Sequence, residues 1–303
     1  MAETIPVIVN ATAGNGSNPG WAEGLEQKFA AAGVQAKLHL MQQGSDIEPT
    51  VAKAVKGGAK LVVAGGGDGT VSAVAAGLAG TDVTLGVLPM GTLNHFAKDL
   101  KIPLEQEAAI AVIAAGHTLQ VDVGQVNDRI FINNSGLGLY PDIVRDREQR
   151  QSRLGHGKWR ALLEASIAAA RRYPVLSVQI EVEGKTLTRR TPFVFIGNNV
   201  YTMEGFEIGE RAALDRGELS LYVAQRTGRF GLVRLAVMAL LRRLNQARDF
   251  DALTASEFVV NTRHRKLRVS TDGEVNPMAP PLRYRVRPGA LRVIVPAPTE
   301  QAP

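Results

Sequence analysis

The sequence predicts two domains: an N-terminal α/β domain built on a doubly wound, mostly parallel sheet, and a β-rich, sandwich-like second domain. Over residues 1–124, apolar runs typical of buried strands alternate with helix-like segments. After Val123 the runs become short and strand-like, with turn residues between them. We therefore expect one domain at 1–124 and another at 125–283, with the final strand or strands, residues 284–298, as a candidate addition to the first.

The α/β prediction depends on four strand-like runs in order, which are IPVIVN, VQAKLHLM, LVVA and VTLGVLPM. Each is followed by a segment with helical character. The predicted helices are Trp21–Ala32, Glu48–Lys56, the segment after LVVA, the segment containing LNHFAKDL, and Glu105–Ala115. Parallel strands of this kind collect their ligands at the carboxyl ends, so the turns after the strands are the places to search for a site.

The β-rich prediction depends on short runs such as LSVQIEVEG, TPFVFIGNN, EFVVNT and LRVIVP. Their spacing is typical of an antiparallel sandwich or barrel. Two helices are expected to interrupt it, at Trp159–Arg172 and Gly231–Asn245.

Composition excludes several classes of protein. The chain has 303 residues, of which 45% are hydrophobic, enough for a sizeable core. It contains no cysteine, which excludes disulfides, cysteine-based zinc sites and thiol catalysis. The N-terminus does not have the pattern of a secretory signal, and no apolar run reaches the ~18 residues that span a membrane. We therefore expect a cytoplasmic protein.

Charge is distributed unevenly along the chain. Residues 1–124 hold 7 Lys, no Arg and 11 acids, whereas residues 125–303 hold 28 Lys plus Arg against 18 acids. Two domains with different surfaces would explain this. An anionic partner of the second half, namely a membrane, a nucleic acid or a phosphorylated ligand, would explain it equally well.

The motif GGGDGT, Gly65 to Thr70, stands between a strand-like run and a helix-like segment. Glycines there let backbone N–H groups approach a ligand, and the helix N-terminus favours an anion such as phosphate. Asp68 would repel phosphate unless a divalent cation lies between them or the carboxylate takes part in proton transfer. A tight structural turn is the alternative interpretation.

Two further turns are expected at the same edge of the sheet. The segment GVLPMGTLNHF supplies Gly91, Thr92 and Asn94, and the small polar segment NATAGNGS follows the first strand. Adjacent phosphate-binding turns favour a nucleoside triphosphate over a monophosphate.

A third candidate segment, STDGEVNPM, carries Asp272 and Glu274. If it is a strand, alternation puts both carboxylates on one face. Spacing alone favours the other interpretation, an ordinary turn with solvated acids. The five histidines show no spacing typical of metal ligands.

These motifs together resemble the diacylglycerol kinase catalytic family, which includes bacterial soluble lipid kinases, sphingosine kinases and ceramide kinases. The resemblance is carried by VVAGGGDGTVSAV, LGVLPMGTLNHFAKDLKIP and TDGE, in that order. It extends to NATAGNG, VDVGQVNDRIFINNSGLGL and AALDRGELSL, and so covers nearly the whole chain.

The resemblance implies an ATP-dependent lipid kinase with an α/β nucleotide domain, a β-rich lipid-substrate domain and a cleft between them. Asp68 would orient the Mg²⁺-bound phosphates, and Glu274 would take the proton of a lipid hydroxyl, with Asp272 beside it. The residues implied to hold ATP are Asn10, Ala11, Thr12, Ala13, Gly14, Gly66, Gly67, Asp68, Gly69, Thr70, Val71, Ser72, Thr92 and Asn94.

Three positions depart from the family pattern. Ser72 and Ala73 replace an Asn-Glu pair, and His95 replaces an Asp. Arg216 replaces an Asp that helps bacterial members hold a structural Mg²⁺, which puts that second metal site in doubt.

Two other functions remain open at this point. One is a soluble-metabolite kinase of the NAD kinase type, which shares the GGDGT motif, and the other is a catalytically inactive lipid-binding module. For the lipid kinase, the expected partners are a lipid substrate and an anionic membrane reached by peripheral association, with no nucleic acid and with a homodimer left open. The Arg-rich stretch Arg145–Arg160 and the segment 226–248 are the candidate docking surface. For the helix in the segment 226–248, a core-packed helix with a solvated basic face is the alternative interpretation.

Overall fold

The structure is a computed structural model that describes residues 4–11, 20–138, 176–204, 207–224 and 250–298. It divides into two compact units. The first unit comprises Met1–Val123 and Pro288–Pro303, and the second unit comprises Gly124–Arg287. The predicted helices Trp159–Arg172 and Gly231–Asn245, the proposed docking segments and residues 12–14 lie outside the described residues.

The first unit alternates strands and helices. Its strands are β1 (Ile5–Asn10), β2 (Ala36–Met41), β3 (Leu61–Gly66), β4 (Thr84–Pro89) and β5 (Thr118–Val126), the last of which continues into the second unit. Its helices are α1 (Trp21–Ala31), α2 (Ile47–Lys56), α3 (Asp68–Leu78), α4 (His95–Asp99) and α5 (Gln106–Ala115), with a 3₁₀ turn at Gly44–Asp46.

The sheet of the first unit is parallel, with strand order β2-β1-β3-β4 and then the C-terminal part of β18 (Leu282–Ile294). The central strands read as continuous apolar runs because helices cover both faces. Helix α1 contacts α5, and α2 contacts α3. The predicted doubly wound α/β architecture is therefore confirmed.

The second unit is a sandwich of two sheets. Besides β18, its strands are β6 (Arg129–Phe131), β7 (Asn134–Gly138), β8 (Leu176–Val182), β9 (Lys185–Thr191), β10 (Phe193–Asn198), β11 (Tyr201–Glu204), β12 (Glu207–Arg211), β13 (Leu219–Ala224), β14 (Phe250–Ala255), β15 (Glu257–Thr262), β16 (Leu267–Thr271) and β17 (Glu274–Met278).

One sheet of the sandwich has the order β18-β15-β8-β9, and the other has the antiparallel order β14-β13-β10-β7-β16-β17. Strand β8 shows the expected alternation, with Leu176, Val178 and Ile180 buried and the residues between them exposed. Both sheets contribute to one shared apolar core, and Phe195, Tyr201 and Tyr222 form a separate, smaller cluster. The predicted β-rich, sandwich-like domain is confirmed.

Among the described residues, the longest helices have 11 residues, and none is long and apolar enough to cross a membrane.

Candidate functional site

The predicted phosphate-binding turns of the first unit follow three neighbouring parallel strands. Val9 of β1 is in register with Gly65 of β3, and Gly66 of β3 is in register with Pro89 of β4. The turns that begin after Asn10, Gly66 and Pro89 therefore emerge at one edge of the sheet. This is the edge at which open α/β sheets bind ligands.

Two of these turns touch through their backbones. A Cβ atom built on Gly91 would lie 2.5 Å from the Cα of Gly67 and 2.9 Å from Oδ1 of Asn94. A Cβ on Gly66 would lie 2.6 Å from Oγ1 of Thr70. Contacts this short leave no room for a side chain, so close packing of the two turns requires glycine at positions 66 and 91.

Asn94 closes the second turn with its own side chain. It is 7% exposed and has a left-handed backbone with φ of 50°. Its Oδ1 accepts a hydrogen bond from the Gly91 N–H at 3.0 Å, and its Nδ2 donates to the Gly91 carbonyl at 2.8 Å. These two bonds fix the loop that presents Thr92, which is exposed.

Asp68 lies at the first position of α3, where a carboxylate is stabilised by the positive end of the helix dipole. Its half-buried side chain accepts a 3.5 Å hydrogen bond at Oδ1 from the Phe96 N–H of α4. Among the described residues its Oδ2 has no hydrogen-bond partner. Asp68 therefore presents an oxygen ligand at the edge of the sheet where the two glycine turns meet.

The first turn of α3 presents backbone donors beside this carboxylate. The Val71 N–H donates to the Gly67 carbonyl at 3.1 Å and so begins the helical hydrogen-bond ladder. The N–H groups of Asp68, Gly69 and Thr70 precede that bond, as at any helix N-terminus. Thr70 and Val71 are 5% and 4% exposed, so both residues pack inside the unit.

The remaining predicted nucleotide-binding residues occupy supporting positions. The Ala11 N–H donates to the Met41 carbonyl at 3.0 Å, which extends the β1–β2 pairing beyond Asn10. Ser72 is half-buried in α3.

In the second unit, Asp272 and Gly273 form the two-residue turn that joins β16 to β17. Thr271 and Glu274 are the register pair that flanks the turn. The φ angles are 48° at Asp272 and 92° at Gly273, as a type I′ hairpin turn requires. The turn that the spacing favours is therefore present at Asp272, and the alternative with both acids on one face of a strand is excluded because only Glu274 is in a strand.

The two carboxylates of this hairpin have opposite environments. Glu274 is exposed, and no hydrogen bond or ion pair involves its carboxylate among the described residues. The Asp272 carboxylate instead accepts hydrogen bonds from three successive backbone N–H groups. Oδ2 accepts from Ile132 at 2.8 Å, and Oδ1 accepts from Asn133 and Asn134 at 2.9 Å each. Asp272 is thus not the solvated acid of an ordinary turn.

Arg211 binds oxygen atoms of the same segment, Ile132–Asn134. Its guanidinium is buried, with Nη1 donating to the Ile132 carbonyl at 2.6 Å and Nη2 donating to Asn133 Oδ1 at 2.9 Å. The guanidinium also lies 5.2 Å from the centre of the Tyr201 ring. Sequence reasoning missed this residue, because nothing in the local pattern GERAAL distinguishes it from a surface arginine.

Arg216 is exposed, in the loop between β12 and β13. Its backbone N–H donates to Asn199 Oδ1 at 3.0 Å. Within the described ranges its guanidinium makes no ion pair with Asp215 or Glu218. In the same part of the chain, no group of three or more His, Asp or Glu side chains is arranged to hold a metal ion.

Comparison with known proteins gives two family matches. Residues 4–126 match the diacylglycerol kinase catalytic domain, and residues 143–295 match the YegS C-terminal NAD kinase beta sandwich-like domain.

Three known proteins illustrate the similarity. The diacylglycerol kinase of Bacillus subtilis (strain 168) is 31% identical over 84% of each chain, and that of Staphylococcus carnosus (strain TM300) is 26% identical over 79% of this chain and 78% of its own. A crystal structure of a diacylglycerol kinase from Bacillus anthracis str. Sterne superposes with a TM-score of 0.70 at 20% identity, covering 97% of both chains.

Proposed function

This chain belongs to the diacylglycerol kinase family of lipid kinases, and we propose that it transfers the γ-phosphate of ATP to the hydroxyl group of diacylglycerol or a related lipid. The observation that carries the proposal is the pair of glycine turns at one edge of the parallel sheet, with the Asp68 carboxylate beside them. Phosphoryl transfer needs mainly positioning, charge neutralisation and a well-placed carboxylate, and the chain supplies residues for each.

The first unit is assigned to ATP. The N–H groups at the start of α3 and the turn closed by Asn94 are suited to the phosphate oxygens, since both offer backbone donors where the helix dipole favours anions. Asn10 to Gly14, Gly66 to Ser72 and Thr92 are the proposed contacts. Asn94 acts through the turn, because its amide is engaged with Gly91.

The described residues fit a magnesium ion that arrives with ATP. Mg²⁺ prefers oxygen ligands and is commonly held by one or two carboxylates together with substrate phosphates. Asp68 offers one carboxylate oxygen for this, and Mg²⁺ bound there would neutralise charge on the phosphates. Asp68 itself would then hold the triphosphate in one orientation despite its own negative charge.

Glu274 is assigned the proton transfer. It is exposed on a hairpin whose turn is fixed by hydrogen bonds, and its carboxylate is not consumed by a structural contact among the described residues. In this role it accepts the proton of the lipid hydroxyl as the oxygen attacks the γ-phosphate.

Two alternatives have weaker support. A soluble-metabolite kinase of the NAD kinase type shares the glycine turn, but residues 4–126 match the diacylglycerol kinase catalytic domain and the two relatives described above are diacylglycerol kinases. An inactive lipid-binding module is disfavoured because Asp68, Thr92 and Glu274 are all present, with Thr92 and Glu274 exposed.

A phosphorylation assay distinguishes these functions. The purified protein is incubated with Mg²⁺-ATP and mixed micelles that contain diacylglycerol, monoacylglycerol, a sphingoid base, ceramide or undecaprenol, with NAD in a parallel reaction. We expect labelled phosphate in an organic-soluble product from at least one lipid. Phosphate transfer to NAD alone would establish the metabolite kinase, and no transfer to any acceptor would favour the inactive module.

We also propose that the protein reaches its lipid by docking to anionic membranes through the Arg-rich stretch Arg145–Arg160. Each basic residue near an anionic surface contributes about 1 kcal/mol, and salt screens the attraction. The described residues offer a matched comparison in the exposed cluster Arg263, Arg265 and Lys266. That cluster and Glu274 lie at opposite ends of β16, about 17 Å apart for a five-residue strand.

Vesicle sedimentation tests this surface. We expect binding to vesicles with anionic lipid, little binding to neutral vesicles, and release as salt increases. Replacing Arg145, Arg147 and Arg150 with Gln should weaken binding more than replacing Arg263, Arg265 and Lys266. Equal losses would mean that net charge, rather than a local surface, attracts the protein, and equal binding to both vesicle types in all salt concentrations would refute the proposal.

A further inference from the structure

We propose that Asp272 is a positioning residue, which fixes the hairpin bearing Glu274 by binding the backbone of Ile132–Asn134, and that Arg211 holds the same segment from its opposite side. This inference rests on the proposed role of Glu274. It changes the role expected for Asp272. In this proposal Asp272 takes no part in proton transfer and instead determines the position of Glu274.

Asp272 binds the N–H groups of the segment. Both carboxylate oxygens are engaged, with three donors at 2.8–2.9 Å. Hydrogen bonds to a charged acceptor are about twice as strong as neutral ones. The Asp272 N–H also donates to the Asn134 carbonyl at 2.8 Å, so four hydrogen bonds join the turn to the segment.

The carbonyl side of the segment is held by donors of the second unit. The Ile132 carbonyl accepts from Arg211 Nη1 at 2.6 Å and from Asn198 Nδ2 at 3.0 Å. The Asn133 carbonyl accepts from the Tyr201 hydroxyl at 3.0 Å and from the Asn198 N–H at 2.9 Å. The negative Asp272 carboxylate therefore faces the amide hydrogens of the segment, and the positive Arg211 guanidinium faces the Ile132 carbonyl oxygen.

This arrangement orients the peptide dipoles of the segment between two opposite charges. In the low effective dielectric of a protein interior, hydrogen bonds in such a chain reinforce one another. Arg211 and Asn198 are 3% and 0% exposed, so water does not compete on the carbonyl side. The segment is thus a rigid support, and the turn attached to it sets the position of Glu274 two residues later.

Asp272→Asn tests the carboxylate separately from the turn, because Asn also tolerates a positive φ. The amide offers one oxygen, and its NH₂ group faces a backbone N–H that can only donate. We expect a folded protein with an unchanged KM for ATP and a kcat lowered by about 10²-fold, the order of loss that a misplacement of about 1 Å causes.

A double-mutant cycle with Glu274→Gln provides the decisive comparison. If Asp272 acts only by placing Glu274, the double variant should be no slower than Glu274→Gln alone. The pH dependence of kcat in Asp272→Asn should also retain the limb that Glu274 produces. A further independent loss in the double variant, or disappearance of that limb, would overturn the proposal by making Asp272 a participant in proton transfer.

Asp272→Gly gives a second measurement, amide hydrogen exchange, that does not depend on the role of Glu274. Glycine suits the turn, and the missing carboxylate leaves three donors for an added anion. We expect formate to restore kcat and the hydrogen-exchange protection of the Ile132, Asn133 and Asn134 amides. Chloride at equal ionic strength should restore neither.

Asp122→Asn is the matched control, since Asp122 is a buried acid whose Oδ1 accepts the Gly289 N–H at 2.9 Å in the first unit. We expect it to lower stability without any response to formate. Failure of both Asp272 variants to fold, or wild-type exchange of the three amides in Asp272→Asn, would overturn the proposal. Suppose instead that Glu274→Gln keeps full activity while formate still restores the amide protection of Asp272→Gly. That result would refute Glu274 as the base but would leave the role of Asp272 in holding Ile132–Asn134 unchanged.

Discussion

Replacing Glu274 with Gln is expected to lower kcat by about 10²- to 10⁴-fold, the usual contribution of a general base, and to leave the affinity for ATP nearly unchanged. The amide keeps the size of the side chain and its place on β17 but cannot accept the hydroxyl proton. Steady-state kinetics with the preferred lipid and calorimetry with Mg²⁺-ATP measure the two quantities independently.

Glu257→Gln is the matched control for this variant. Glu257 is likewise exposed at the start of a strand in the second unit, and its removal changes the net charge equally. We expect its kcat to equal that of the wild type. If Glu274→Gln keeps full activity, the base must be another group, and Asp68 becomes the leading candidate.

Gly91→Ala is expected to disrupt the ATP-binding edge of the first unit. The new methyl group would overlap the Cα of Gly67 at 2.5 Å and Oδ1 of Asn94 at 2.9 Å. Both neighbours are constrained, one as backbone and the other by two hydrogen bonds, so the turns must separate. Overpacking of this kind costs about 1–3 kcal/mol. We expect this loss in urea unfolding, together with a raised KM for ATP.

Gly24→Ala is a useful comparison for that variant. Gly24 lies inside α1, and a Cβ there would meet nothing within 4 Å. The substitution should therefore stabilise the protein by about 0.5–1 kcal/mol through helix propensity and leave the KM for ATP unchanged. Wild-type stability and KM in Gly91→Ala would show that the two turns do not need to touch.

The fold was predictable from the sequence because each signal is local. Buried parallel strands appear as apolar runs, such as LVVAGG in β3, and the half-buried strand β8 appears as strict alternation. Both halves of the fold-class prediction are confirmed. The clustering of the turns after β1, β3 and β4 also followed, since parallel strands bring their carboxyl ends to one edge.

The roles of individual polar residues were harder to predict from the sequence, because they depend on partners that are distant in sequence. Asp272 binds an N–H group 140 residues away, at Ile132, and Arg211 binds a carbonyl 79 residues away. Asn94 was expected to face a ligand, whereas its amide is engaged three residues away, at Gly91. The Asp-Gly pair did contain a hairpin signal, and the spacing favoured a turn there, but no local pattern indicated that the Asp272 carboxylate binds three backbone N–H groups.

The long strand β18 also affects the order in which the protein can fold. Its residues Arg292 and Val293 pair in parallel with Thr84 and Leu85 of β4, and Leu291, Val293 and Ile294 are almost fully buried. A ribosome therefore makes the entire second unit before it supplies the strand that completes the first sheet. Until then β4 has an open edge, which is a template for pairing with other chains. We expect a fragment of residues 1–123 to aggregate, and a chaperone that shields this edge during synthesis would raise the yield of the full-length protein.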